Sequence, residues 1–251
     1  MAISEKIWTA ALVIIGDEIL SGRTQDANLA YLAKWLNIQG IRLKEVRVVA
    51  DEMAAIGDAV NACLAAYDYV FTTGGIGPTH DDITVDAVAA ALGVGVVHHP
   101  HAVEILKRFY GDRITEARLR MARVPDGAEL LLNPETGAPG IRHGRLFIMA
   151  GVPKITQGML RGLDGKLEGG RPVISRAVGA WAQESAVADL LAKVQDDHDG
   201  VQVGSYPFWR DGKGGANFVL RSVDDERLAQ AVDALKTGLE AQGIAAQEGE
   251  I

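Results

Sequence analysis

"TTGGIGPTHDDIT", residues 72–84, sets Gly74, Gly75, Gly77 and Pro78 directly before two adjacent aspartates, Asp81 and Asp82. The run leading into it, "DYVFTTGG", is apolar and β-branched and reads as a buried strand that ends in glycine. The run leaving it, "DDITVDAVAAALG", places Val85, Val88, Ala89 and Leu92 on one side of a helix. A strand passing through glycines into a helix is half of a βαβ unit, and the pattern repeats on both sides. Upstream, "IWTAALVIIG" reads as a buried strand, with a helix predicted over "DANLAYLAKWLNIQG". "IRLKEVRVVA" alternates as a second strand, and "DEMAAIGDAVNACLAAY" is helical with Asp51 as its cap. Downstream, "HAVEILKRFYG" and "TEARLRMARV" read as helices, "AELLLN" and "RLFIMAG" as strands, and "PKITQGMLRGL" as a short helix. Strands alternating with helices to about residue 165 predict a parallel or mixed sheet covered on both faces. Ligands of such sheets sit beyond the carboxyl ends of the strands, where the glycine loops would gather.

The segment "GLDGKLEGGRP", residues 162–172, holds four glycines and a proline and reads as a linker. After it, the order strand, helix, strand, strand, helix predicts a small α+β domain. The expected domains are therefore 1–165 and 172–251. The 251 residues include 48% hydrophobic side chains, enough for a sizeable core, and one cysteine, Cys63, so no internal disulfide can form. A formal net charge of −8 argues against nucleic acid as a partner. No apolar stretch is long enough to span a bilayer, so no membrane partner is expected and the compartment is read as cytoplasmic.

A glycine turn running into a helix N-terminus offers several backbone N–H groups to one anion, which suits a phosphate or diphosphate. Asp81 and Asp82 place negative charge in the same region. A carboxylate beside a phosphate needs a bridging cation, and Mg²⁺ or another divalent metal held by one or two carboxylates plus substrate phosphates meets that need. Either aspartate could equally serve as a helix cap. The first strand ends as "IIGDEILSGRTQDAN", bringing Asp17 to the same sheet edge as Asp82, and the two make a candidate metal or phosphate-handling pair. Asp26 reads either as part of this group or as an N-cap, and Glu18 as a loop charge. "NPETGAPGIRHG", residues 133–144, is a rigid open turn, and "AGVPKI", residues 150–155, is a fourth strand–glycine–proline–helix junction. His80 sits inside the central loop within reach of a phosphate. The sequence lacks both the P-loop pattern and a G-x-G-x-x-G after the first strand, which excludes those two nucleotide sites.

Together "GDEILSG" with "QDAN", "TTGGIGPTHDDIT", "NPETGAPG" and "GVP" resemble the molybdopterin-binding domains of the MogA and MoaB family, and most of all the version at the N-terminus of CinA-type competence/damage-inducible proteins. A related domain occurs at the N-terminus of eukaryotic FAD synthases. The resemblance covers residues 7–165. It implies an α/β fold, a three-layer α/β/α sandwich with a mostly parallel sheet. A weaker likeness through "SYPFW" and "GGANFVLRS" implies a small KH-like α+β domain after it. The resemblance implies a small phosphorylated ligand: molybdopterin, with Mg²⁺ and ATP supporting adenylylation, or a nucleotide such as ADP-ribose, hydrolysed with a divalent metal. It puts the key acids on Asp17 and Asp82, the phosphate-facing loop on Gly74, Gly75, Gly77 and Thr79, and the ligand-side turn on Asn133, Gly137, Ala138, Pro139 and Gly140. A homo-oligomer, dimer or trimer, is also implied. Two departures stand out. The usual P-G-V-P-x-E is here "AGVPKI", with Ala150 for proline and Ile155 for glutamate. No C-terminal deamidase domain follows, so nicotinamide mononucleotide deamidation is not expected.

"HHPH" (His98, His99, His101) lacks further ligands for a tetrahedral metal site and reads as loop polarity and capping. Cys63 reads as a buried thiol. "SYPFWRDGKGGANF" sets aromatics beside Arg210 and Lys213, a combination that stacks on nucleotides in other settings. Its "GKGG" lies between two strands, and with the acidic net charge a hairpin turn or a dimer contact accounts for it.

Overall fold

The computed structural model describes residues 6–133, 137–210 and 212–251. The chain divides into two compact units, one ending at Gly170 and one beginning at Arg171. The first unit opens with strand β1 (Trp8–Ile15), a short helix α1 (Asp17–Leu20), helix α2 (Asn28–Ile38) and strand β2 (Ile41–Val49). Helix α3 (Met53–Ala66), strand β3 (Tyr69–Thr73), helix α4 (Thr84–Leu92) and strand β4 (Val96–His98) follow. Then come helix α5 (Pro100–Tyr110), helix α6 (Glu116–Leu119), strands β5 (Arg123–Pro125), β6 (Glu129–Leu131), β7 (Gly140–His143) and β8 (Leu146–Met149), and helix α7 (Pro153–Arg161).

The main sheet has the order β2-β1-β3-β8-β7-β6, parallel across β2, β1, β3 and β8 and antiparallel at β7 and β6. β1 is flanked on both sides, so both faces of its unbroken apolar run are covered, and residues 10–15 are all buried. One face packs Leu12, Phe71 and Phe147 against Leu32, Trp35 and Leu36 of α2 and Met159 and Leu160 of α7. The other packs Val13, Val70 and Ile148 against Ile56, Val60 and Cys63 of α3 and Val85 and Val88 of α4. The result is an α/β fold of three layers with a mostly parallel sheet. β2 lies at the sheet edge and alternates between more and less exposed positions, as its sequence does.

Two local readings are corrected. "TEARLRMARV" does not form one helix: α6 spans four residues, a 3-10 turn follows over Arg120–Ala122, and Arg123–Pro125 becomes β5, paired antiparallel with β4. Pro125 cannot continue a helical hydrogen-bond ladder, and its pairing with Val96 ends the segment as a strand. The glycine-rich segment 162–170 is not a loose linker. Leu163 is buried, Trp35 Nε1 donates to Asp164 at 2.6 Å, Tyr69 Oη donates to the Glu168 carbonyl at 3.1 Å, and the Gly170 amide donates to Gly40 O at 3.0 Å.

The second unit consists of strand β9 (Ile174–Ala180), helix α8 (Glu184–Asp197), strands β10 (Gln202–Arg210) and β11 (Lys213–Ser222), helix α9 (Asp225–Ala241) and strand β12 (Ala246–Glu248). Its sheet, β10-β11-β9-β12, is antiparallel throughout. Val178, Phe218 and Leu220 pack on Val187 of α8 and on Leu228 and Leu235 of α9. Asp224 caps α9 through its carboxylate, which accepts from the amides of Glu226 and Arg227. Among the described residues of the chain, no helix is long and apolar enough to cross a membrane.

Candidate functional site

The four parallel strands end in line: Ile15 pairs with Val49, Ile14 with Thr73 and Thr73 with Met149. Their carboxyl ends form one edge, and the glycine turn after β3 is locked into it. Gly74 adopts φ 106° and donates its amide to Met149 O at 3.1 Å. A Cβ there would lie 2.1 Å from Ile15 O. Gly75 adopts φ 66°, with the space for its Cβ filled by Thr84 Oγ1 at 2.2 Å. Only glycine meets both demands. The wholly buried Thr84 hydroxyl donates to Gly74 O at 2.9 Å, and the Thr84 amide donates to Gly75 O at 3.0 Å. The first residue of α4 thus holds the turn, and residues 76–81 project in front of the helix.

The other loops meet the same edge. Gly151, after β8, stands against Gly74, and its carbonyl accepts from the Asn28 side chain at 2.7 Å. Because β7 runs antiparallel to β8, Gly140 at the start of β7 lies at the carboxyl end of β8. Pro139 and Gly140 are buried. The buried Asn133 side chain donates to Ala138 O at 3.4 Å, drawing the two sides of this turn together. Gly137 has φ 73°, and a Cβ there would meet the Phe109 ring at 2.7 Å. Pro134, Glu135 and Thr136 of the same motif lie outside the described residues.

The acids divide into two groups. Asp17 is exposed at the first turn of α1; its amide donates to Asp51 Oδ2 at 2.9 Å, and the Asp51 amide donates to Asp17 Oδ1 at 3.4 Å. Burial, reinforced by the negative charges of Asp17, Glu18 and Asp81, pushes the Asp51 carboxyl above its usual value. Asp51 does not cap α3, whose N-cap is Glu52 without a side-chain bond. Its part in this cluster was hidden from sequence reading because it depends on β1 and β2 ending side by side. Asp82 turns instead to its own loop. Its Oδ2 accepts from the Thr79 amide at 2.8 Å and from the Thr79 hydroxyl. That carboxylate also fills the space beside Gly77. The Thr79 hydroxyl, a backbone amide and His80 hold the Asp81 carboxyl below its usual range. His80 itself is 98% exposed, 3.9 Å from Asp81.

Asp17 and Asp82 therefore engage different neighbours. Among the described residues no three His, Cys, Asp or Glu side chains form a ready metal cage. The hard oxygens of Asp17, Asp51 and Asp81 suit a looser mode, in which a divalent cation takes one or two carboxylates and completes its shell with water and phosphate. Burial is the main cause of the rise at Asp51, and the smaller repulsion from Asp17, Glu18 and Asp81 is the part such a cation would relieve. Ile155 packs partly buried against the core, so the departure from glutamate there is absorbed as apolar contact.

A shallow hollow of about 10 Å³, open to solvent, adjoins the glycine loop. Ile76, Gly77, Asp82 and Pro139 line it together with Arg120, Met121 and Arg123. Arg123 is bonded to Asp86 of α4, with Nη1 to Oδ2 at 3.1 Å and a second contact from Nη2 to Oδ1. Sequence reading missed these three lining residues because it placed them on a helix rather than on a 3-10 turn and a strand.

Residues 11–165 match the probable molybdopterin binding domain. Residues 172–248 match the middle domain of FAD synthase. A protein of Aeropyrum pernix is 41% identical over 154 residues, 60% of this chain and 58% of its own length. A CinA-like protein of Frankia casuarinae is 35% identical over 207 residues, 74% of this chain and 47% of its own. The chain thus spans about half the length of those two relatives. The crystal structure of CinA from Thermoplasma acidophilum superposes with a TM-score of 0.60 at 33% identity, covering 64% of this chain and 98% of that one.

Proposed function

The chain belongs to the probable molybdopterin-binding domain family, and on that premise we propose that it binds a phosphorylated pterin or a nucleotide diphosphate, with a divalent metal, at the edge where β1, β3 and β8 end. The observation that carries this reading is the locked turn at Gly74 and Gly75. Two positive-φ glycines, wedged against Ile15 O and Thr84 Oγ1, set the loop 76–81 in front of α4. A phosphate is stabilised there by loop amides and by the positive end of the helix dipole. Asp17 and Asp81, beside Asp51, would hold the cation, and Asp82 would keep the loop in shape through Thr79. Bound there, a divalent cation would offset phosphate charge and polarise the phosphorus–oxygen bonds. A role in molybdenum cofactor biosynthesis is the form this binding takes under the family's name.

Hydrolysis of ADP-ribose-type diphosphates is the alternative use of the same site. Ile155, apolar where the family's motif carries glutamate, favours the version in which ligand is bound without turnover. The test is a calorimetric titration with ADP-ribose and with a pterin phosphate, each with and without Mg²⁺, followed by product analysis. Wild type should bind at least one of them more tightly with Mg²⁺, and Gly75→Ala should weaken that binding at least tenfold. AMP release would identify the hydrolase. Binding of neither ligand under any condition would overturn the proposal.

A further inference from the structure

We infer that the helix-free sheet face of the second unit binds single-stranded nucleic acid, with bases stacking on Tyr206, Phe208 and Trp181 and phosphates meeting Arg210, Lys213 and Arg221. Helices α8 and α9 pack on one face of this sheet, against Val178, Phe218 and Leu220. Residues directly opposite each other across an antiparallel pair share a face, so the register assigns the other side. On it Tyr206 stands beside Asn217, Phe208 beside Gly215, Arg210 beside Lys213, and Arg221 beside Gln202. Tyr206 and Trp181 are exposed. Two glycines let the rings of β10 lie across the sheet. A Cβ at Gly215 would meet the Phe208 ring at 2.4 Å, and one at Gly204 would touch the Tyr206 ring at 3.4 Å. Trp181 meets Phe208 edge-on, with centroids 5.2 Å apart and planes at 79°. Residues two apart on a strand are about 6.7 Å apart, so Tyr206 and Phe208 offer rings one nucleotide step apart along an extended chain.

Charge on this face runs against that of the chain as a whole. Its three cations form no ion pair among the described residues: Arg210 lies 5.5 Å from the Phe208 ring centre, and Arg221 donates to Tyr206 Oη at 2.5 Å. The one acid in the four strands, Glu248, pairs with the buried Val178 and so lies on the helix face, 3.9 Å from Lys236 of α9. The net charge of −8 opposes binding of a polyanion over the whole surface, but none of it is carried by the strand residues of this face. A second copy docking through the same face would bring like charges together. A chain of flat rings joined by phosphates meets both the aromatics and the cations. Base–aromatic stacking accepts any base, so binding without sequence preference is expected. A duplex keeps its bases stacked on one another and cannot use the rings.

The experiment is a fluorescence-anisotropy titration of the full chain into labelled oligo(dT) and oligo(U), a labelled duplex of equal length and a labelled polyglutamate peptide. Wild type should bind both single strands at low salt at least tenfold more tightly than the duplex or the peptide. The slope of log affinity against log salt should be about −2, from about −0.7 for each of three phosphate contacts. Trp181→Ala and Phe208→Ala should weaken binding several-fold and leave that slope unchanged. Arg210→Gln, Lys213→Gln and Arg221→Gln should each flatten it by about 0.7. Thermal unfolding identifies variants that retain the fold, and Phe208→Leu fills the space over Gly215 without an aromatic face if the alanine variant does not fold. No single-strand binding at low salt, equal binding of the duplex, preference for polyglutamate, or folded ring variants that bind as wild type does would each overturn the inference and leave the proposed function standing. Loss of single-strand binding in a folded Gly75→Ala variant would put the strand at the glycine loop and overturn it as well.

Discussion

Each unit carries a glycine-rich stretch at the end of a strand: residues 74–77 after β3, and residues 212–215 at the turn from β10 to β11. In the first, Gly74 and Gly75 combine positive φ with backbone and hydroxyl atoms packed where side chains would stand. In the second, Gly212 has φ 73° but nothing within 4 Å of its missing Cβ, so it meets a turn requirement alone. Gly214 and Gly215 leave room for the rings of Trp209 and Phe208. One stretch fixes backbone against backbone at the junction of three strands. The other mainly makes space for side chains, and only Gly215 also comes close to a backbone atom, with Ala180 O of β9 2.8 Å from its missing Cβ. Density of glycine in a sequence does not distinguish these uses, but what surrounds each glycine does.

The sharpest way to break this contrast is Gly74→Ala, which combines an unfavourable φ with a Cβ driven into the Ile15 carbonyl. It should cost more than about 3 kcal/mol in denaturant unfolding. A cost under about 1 kcal/mol would mean that the turn yields easily and that the edge is not rigid. Thr84→Val keeps the shape and removes the hydroxyl that donates to Gly74 O. A loss of about 1–2 kcal/mol is expected, from leaving that carbonyl short of a partner. Gly212→Ala should cost about 1 kcal/mol, the left-handed penalty alone, with no effect on ligand binding. If it cost as much as Gly74→Ala, the hairpin turn would be as constrained as the strand junction and the contrast would collapse.

Much of this was legible before any coordinates. Continuous apolar runs marked β1 and β3, alternation marked β2, and the order of elements predicted a mostly parallel sheet covered on both faces. The glycine and aspartate motifs pointed to one edge because they follow strands that run the same way. What was not legible depends on contacts far apart in the chain. Asp51 pairs with the Asp17 amide across 34 residues because β1 and β2 end together. Asp82 turns to Thr79, three residues away, because the Gly77 position leaves space for its carboxylate. Arg120 reaches the pocket because a 3-10 turn, rather than a longer helix, carries it. Sequence periodicity could not separate those two outcomes over so short a segment.

The stretch 162–170 has a practical bearing on how the protein is cut. Gly169 and Gly170 bring their backbone so close to residues 39 and 40 that a Cβ at Gly169 would lie 1.8 Å from Gln39 O. Asp164 and Glu168 meanwhile receive the Trp35 indole and the Tyr69 hydroxyl. A fragment trimmed at 165, where the recognisable motifs run out, would strip Tyr69 of its acceptor and uncover the core below it. The natural place to divide the polypeptide is after 170, so the compact unit is longer than its signature.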